Sequence, residues 1–328
     1  MPVPIKTGTV LHSRYQVNKI IGQGGMGCIY LAEDLRLEGR LCAVKEVEYD
    51  RALPQAMLQE GREQFQREAT VLARLDHPNL PKVSDFFSIK ARDYLVMDFV
   101  AGKDLRELML EARQQNTFLL EEEVLDWANQ LAGALQYLHT QEIPILHRDI
   151  KPSNLKLTPN GIVKLVDFGL VKMLAPGEVT ITILQGQGTA LYTPLEQYGG
   201  DSGHTDARSD IYAFGGTLYH LLTNEPPINV RDRFLNPGSL PKIREINPDV
   251  SVRTERAIHW ALQLHPEDRP KDIETFIKAL LYEDAPITKP FSAERRQPRL
   301  VRETERILIA MAGSLLVISF LLTLLRNF

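Results

Sequence analysis

The stretch Leu146–Leu157, LHRDIKPSNLKL, followed by VKLVDFGL at 163–170, decides how this chain reads. It sets Asp149, Lys151, Asn154 and Asp167 close together near the middle of 328 residues, and the rest of the chain is best read outward from it. Upstream, YQVNKII, CIYLAED and LCAVKEVEY have the apolar alternation and β-branched content of strands, separated by a glycine cluster and by Leu37-Glu38-Gly39-Arg40. Phe65, Ala69, Leu72 and Leu75 then recur at helical spacing, and His77-Pro78 stops that helix. SDFFSIKARDYLVMDFV reads as a strand hairpin. Beyond it the pattern turns helical. Val124, Ala128, Leu131, Leu135 and Leu138 form one apolar stripe, and IYAFGGTLYHLLT forms another before Pro226-Pro227. A β-rich first third and a helical remainder predict an α+β protein of two lobes.

The glycine cluster, Gly22-Gln23-Gly24-Gly25-Met26-Gly27, lies between two predicted strands. Backbone without side chains can lie close over phosphates and offer N–H donors, although a bare hairpin turn explains the spacing as well. A dinucleotide-binding fold would need a helix directly after it, and CIYLAED reads as a strand. Cys42-Ala43-Val44-Lys45 then places a lysine on a strand. Alone it reads as a solvated edge lysine, while Glu68 beside the apolar stripe of the next helix is within reach of an ion pair with it.

Taken in order, the glycine loop, the CAVK lysine, HRD-x-K-x-x-N and DFG resemble a bacterial eukaryotic-like (Hanks-type) serine/threonine protein kinase, with RSDIYAFG and LEQY adding to the likeness from Tyr15 to Tyr282. The resemblance implies a bilobal kinase fold: a β-rich lobe at 15–98, a helical lobe at 102–283 and a lead at 1–14. It implies transfer of the ATP γ-phosphoryl group, with Mg²⁺, to Ser or Thr hydroxyls of protein substrates. Such chemistry asks the protein for in-line positioning and charge neutralisation more than for covalent work. Asp149 would then accept the hydroxyl proton, Lys151 would support the charge in transfer, and Asn154 and Asp167 would hold Mg²⁺. Lys45, fixed by Glu68, would hold the α/β-phosphates under Gly22, Gly24 and Gly27. Ile21, Ile29 and Ala43 would line the adenine, or else serve as plain strand core. Met97 would be the gatekeeper, Asp98 to Val100 the backbone hinge, and Asp104 a ribose contact. Lys151 favours Ser/Thr over Tyr acceptors, because tyrosine kinases of this family lack a lysine there. Glu196 would pair with Arg269, and Asp210 would brace the catalytic loop. Arg148 before Asp149 implies control by loop phosphorylation, with Thr180 or Thr182 as acceptor and Thr189 as a structural contact, and hence self-association for autophosphorylation.

Two departures stand out against the family pattern. Pro194-Leu195-Glu196 replaces the usual A-P-E, with the glutamate kept. Lys156 stands two residues after Asn154, where an aliphatic residue usually lies under the adenine. Either its methylene stem covers the base while the ammonium reaches water, or it marks a specialised nucleotide preference. A pseudokinase scaffold would lack some of Lys45, Glu68, Asp149, Asn154 and Asp167, and a small-molecule kinase would lack the segment from DFG to PLEQ.

A net charge of −4 offers no global basic field for nucleic acid. Cys28 and Cys42 each open a strand of one hairpin, too far apart to bridge, and two cysteines suit a reducing compartment. MPVPIKTGTV lacks a charged segment followed by an apolar run, so no signal peptide is expected. From 284 to 306 the periodicity fades into a basic linker. ILIAMAGSLLVISFLLTLL at 307–325 follows, uncharged and apolar all round. At 1.5 Å per residue it spans about 28 Å, close to the ~30 Å hydrocarbon core of a bilayer, and predicts one transmembrane helix. Arg295, Arg296, Arg299, Arg302 and Arg306 precede it against Arg326 after it, which keeps the kinase side cytoplasmic. Only Arg326-Asn327-Phe328 follow, so no domain is expected beyond the membrane.

Overall fold

The structure is a computed structural model that describes residues 4–24, 27–49, 54–90, 92–167, 172–173, 190–198 and 205–282. The chain divides into units 1–288 and 289–328, and every described residue belongs to the first. The linker, the predicted membrane span, Gly25, Thr180, Thr182 and Thr189 lie outside the described residues. Among the described residues, no helix is long and apolar enough to cross a membrane.

The first lobe is a six-stranded antiparallel sheet ordered β1-β2-β3-β4-β6-β5, made of Val10–Leu11, Tyr15–Gly24, Gly27–Asp34, Leu41–Glu48, Val83–Ile89 and Arg92–Asp98 for β1 to β6. Helix α1, Gln55–Leu72, packs on β5 and β6. The two-residue side-chain period of a strand sorts β4 between two cores. Ala43 and Val47 join Phe65, Ala69, Leu72, Leu95 and Met97 on the α1 side. Cys42 and Val44 join Tyr15, Cys28, Tyr30, Phe87 and Tyr94 on the other. Lys45 therefore falls on the face that α1 covers. Because β4 runs between β3 and β6, the solvated-edge reading of Lys45 does not hold. Both cysteines are free and buried, and Cys42 faces Ala32 rather than Cys28. Within the N-terminal lead, Gly8 donates to the Val17 carbonyl at 2.8 Å and β1 pairs with β2.

A short link, Phe99–Gly102, leads to β7, Lys103–Asp104, and into α2, Leu105–Gln114. The Asp104 carboxylate accepts from the Glu107 N–H while the Glu107 carboxylate accepts from the Asp104 N–H, so two orphan donors at the helix start are satisfied together. Helix α3, Glu121–His139, precedes β8 at Ile145–Leu146, a 3-10 turn at Pro152–Asn154, β9 at Leu155–Leu157, β10 at Val163–Leu165 and β11 at Lys172–Met173. Helices α4 (Ala207–Thr223), α5 (Val230–Leu235), α6 (Ile243–Ile246), α7 (Val252–Ala261) and α8 (Ile273–Leu281) complete the described lobe.

The five-residue stripe predicted on α3 is buried throughout. The second predicted stripe, in α4, is corrected by the structure: every residue from Ser209 to Thr223 is buried, polar ones included. With α2, α3, α6, α7 and α8 packed around it, α4 has no solvent side. Asp210 can be buried there because it is saturated with hydrogen bonds, as described next.

Candidate active site

Strand β4 and the loop after β8 face each other across the cleft between the sheet and the helical lobe. Lys45, on the α1 face of β4, reaches Asp167 with Nζ 2.5 Å from Oδ1. Asp167 follows β10 with a left-handed backbone, φ 59°. Burial alone would raise its carboxyl, but the bond and charge of Lys45, with Lys151 and His147, hold it below the usual carboxylate range. At the catalytic loop, Lys151 Nζ lies 2.8 Å from both oxygens of Asp149. Asn154 Nδ2 donates to the Asp149 backbone carbonyl at 2.8 Å and to its Oδ2 at 2.9 Å. Asn154 in turn accepts from the Val166 N–H through its own carbonyl at 2.8 Å, which fixes the loop to the residue before Asp167. Asp149, Lys151, Asn154 and Asp167 thus converge on one spot.

The loop is held from beneath. Asp210 accepts from the backbone N–H groups of His147 and Arg148 at 2.9 and 2.8 Å, and meets His139 Nε2 at 2.8 Å. Its full burial would raise the carboxyl, and these partners bring it below its ordinary value instead. Arg148 sits here at φ 62°, its guanidinium lowered by burial against the pull of Asp210 and Glu68. Glu196 pairs with Arg269 at 2.6 Å, and Arg269 is fully buried.

One expected pair is not formed. Glu68 lies on the inner face of α1, 4% exposed, within electrostatic range of Lys45, Arg148 and Arg67. Its carboxylate accepts from the Gln64 amide at 2.9 Å, whereas Lys45 is turned to Asp167. Burial without that ion pair raises the Glu68 carboxyl to about 7. Lys45 is therefore fixed by Asp167 in this arrangement, not by Glu68.

The roof of the cleft is the β2–β3 hairpin. Gly22 faces Ile29 across the ladder, Gly24 faces Gly27, and Ile29 faces Lys45. Gly27 has φ 153°, and a Cβ there would sit 2.0 Å from the Glu46 carbonyl oxygen, so only glycine fits. Ile21 is 40% exposed and points away from the core, while Ala43 and Met97 are buried. The Asp98 side chain turns outward to Arg40, and its N–H is taken by the Lys82 carbonyl at 3.0 Å. Val100 is buried, and Asp104 is held at the start of α2 by its capping bond. The Lys156 ammonium has a protein partner as well as solvent: it donates to the Gly102 carbonyl at 2.9 Å.

Sequence reasoning passed over two anchors. His77-Pro78 served only as a helix stop, yet the next residue, Asn79, accepts from the Leu165 N–H at 2.8 Å and donates to the Val163 carbonyl at 2.8 Å. That ties the α1 exit to β10, just before Asp167. Tyr49, the last residue of LCAVKEVEY, lies 2.8 Å from Asp93 and 3.2 Å from the Gly61 carbonyl, with its ring against Gly61. A small residue in mid-helix was the one available signal.

A lysine on a central strand meets an aspartate after β10, beside a loop aspartate clasped by lysine and asparagine, and the protein kinase domain family matches residues 15–287. The chain belongs to the protein kinase family. Among its relatives, PknB of Lactococcus lactis, a probable serine/threonine-protein kinase, is 32% identical over 277 residues, 82% of this chain and 42% of that protein. The serine/threonine-protein kinase PrkC of Bacillus subtilis is 32% identical, covering 83% of this chain and 42% of its own length. The chain thus spans about two fifths of the length of these curated relatives. Among solved structures, the PknI kinase domain of Mycobacterium tuberculosis has a TM-score of 0.64 at 30% identity, covering 84% of this chain and 98% of that one.

The donor set fits a hard cation beside a nucleotide. Asp167 is kept ionised, and Asn154, whose amide nitrogen is turned to Asp149, has its side-chain oxygen left as an acceptor. Two protein oxygens suit Mg²⁺, which takes its remaining ligands from phosphates and water. Consistent with so sparse a set, no group of three or more acidic, His or Cys ligands occurs among the described residues.

Proposed function

We propose that this chain is an ATP- and Mg²⁺-dependent serine/threonine protein kinase, anchored to a membrane by its C-terminal apolar run. The observation that carries the catalytic part is the clasp at Asp149. Lys151 reaches both of its oxygens and Asn154 donates to Oδ2, which holds the carboxylate in one orientation as the acceptor for an incoming hydroxyl proton. Lys151 stays within reach to offset negative charge on the oxygens in transfer. Lys45, now on Asp167, supplies the fixed positive charge at the phosphate end of the cleft. Mg²⁺, when held by Asp167 and Asn154, neutralises phosphate charge. Incubation with Mg²⁺, labelled ATP and a generic basic protein should give phosphoserine or phosphothreonine, and Asp149→Asn should abolish it without lowering the melting temperature. A wild-type protein that transfers no phosphate under activating conditions would favour the scaffold reading.

The unpaired Glu68 supports a resting state that awaits a switch. Arg148 lies half-buried near Glu68, and a phosphate on Thr180 or Thr182, about −2 in charge, would find a cation there. Phosphopeptide mapping between Met173 and Gly188 tests it; no phosphate in active protein would count against it.

The anchor rests on the apolar run, twelve of whose nineteen residues are Leu, Ile, Val or Phe. At roughly −0.3 to −0.6 kcal/mol each, they favour insertion by several kcal/mol. Its arginine-rich approach suits an anionic cytoplasmic surface, so the substrates would be proteins near that membrane. The full chain should resist carbonate extraction, and recovery in the soluble fraction would overturn the anchor.

A further inference from the structure

We propose that Lys156 is a positioning residue for the nucleotide, whose ammonium fastens the exit of the hinge to the helical lobe. The inference rests on the ATP reading above and concerns what holds that site in shape. Gly102 ends the link between the lobes. Its backbone is at φ 118°, and a Cβ there would lie 2.0 Å from the Leu157 carbonyl oxygen, so link and strand β9 touch backbone to backbone. The ladder continues the contact, with Lys103 opposite Leu157 and Asp104 opposite Lys156. From its place on β9, Lys156 reaches back to the Gly102 carbonyl, 2.9 Å from Nζ.

The consequence is that two candidate nucleotide contacts share one fastening. Residues 98–100, the proposed base contacts, lie just before Gly102, whose carbonyl Lys156 holds. Asp104, the proposed sugar contact, is its partner across the ladder. Burial raises the Asp104 carboxyl, and the Glu107 N–H and the Lys156 charge oppose it. Methionine in place of Lys156 keeps an unbranched stem of similar length but loses both the hydrogen bond and the charge. A hydrogen bond of this kind is worth a factor of roughly three to ten in an equilibrium.

Lys156→Met should therefore raise KM for ATP roughly three- to tenfold, with kcat within about twofold of wild type, since Asp149 and Asp167 are untouched. Lys156→Arg, which keeps charge and donor, should restore most of the affinity. In protein without nucleotide, amide exchange over residues 101–104 should quicken in the methionine variant and not in the arginine variant. Unchanged KM and unchanged exchange in Lys156→Met would overturn the proposal, as would an arginine variant as impaired as the methionine one, or a fall in kcat alone. If wild-type protein binds no ATP, the kinase reading fails, while the exchange comparison still decides whether Lys156 fastens the link.

Discussion

Replacing Arg269 by methionine should cost this protein more stability than any surface change, because of what the side chain holds. The guanidinium is fully buried and makes five hydrogen bonds: two to Glu196, at 2.6 and 3.1 Å, and one each to the carbonyls of Gln263, Leu264 and Arg208 at 2.8, 2.9 and 3.1 Å. It also lies 4.8 Å over the Tyr212 ring. Methionine fills much of the volume but leaves Glu196, 6% exposed, with only the Ser209 hydroxyl at 2.7 Å. Stripping one member from a buried ion pair costs about 3–5 kcal/mol, because the remaining charge stays desolvated. For a domain of this size, each kcal/mol moves the melting temperature by roughly 2–4 °C, so a fall on the order of 10 °C is expected. Circular-dichroism melts of wild type and Arg269→Met measure it. The companion Glu196→Gln/Arg269→Met removes the orphaned charge and should melt above Arg269→Met alone, giving a favourable coupling in the double-mutant cycle. A single variant melting within about 2 °C of wild type, or a double variant no better than the single, would refute the argument.

Glu68 gives a pH signature. With its carboxyl raised from 4.5 to about 7, the fold favours the protonated form, so this contribution is complete below pH 4.5 and is lost as pH rises through 7. Its size is on the order of 3 kcal/mol. Glu68→Gln should flatten the fall in stability across that window in denaturant titrations of nucleotide-free protein, and an unaltered slope would show that Glu68 does not titrate there. Gly27→Ala forces a Cβ to within 2.0 Å of the Glu46 carbonyl oxygen. The hairpin must shift, so ATP affinity measured by calorimetry should fall several-fold, with stability lower by about 1–3 kcal/mol; wild-type affinity would mean that the loop position does not matter.

The strands of the first lobe, the α1 and α3 stripes and the identity of the catalytic loop were legible in the chain, because period-2 and period-3.6 burial and short-range motif spacing are local properties. Asp149, Lys151 and Asn154 lie within six residues, so their convergence needs little more than one loop. The α4 helix read as amphipathic because sequence carries no sign of how many neighbours will surround it; only the packed lobe shows that all its faces are covered. Which cation meets which anion was likewise undecided. Lys45, Glu68 and Asp167 are far apart in sequence, and in the fold Lys45 meets Asp167 while Glu68 takes Gln64 of its own helix. Lys156 offered two readings from the sequence, and the carbonyl of Gly102, 54 residues away along the chain, gave it a third. Residue chemistry near one point of the chain fixes what a site can do; which charges meet across the cleft depends on rigid elements packed from distant segments, and that only the tertiary structure decides.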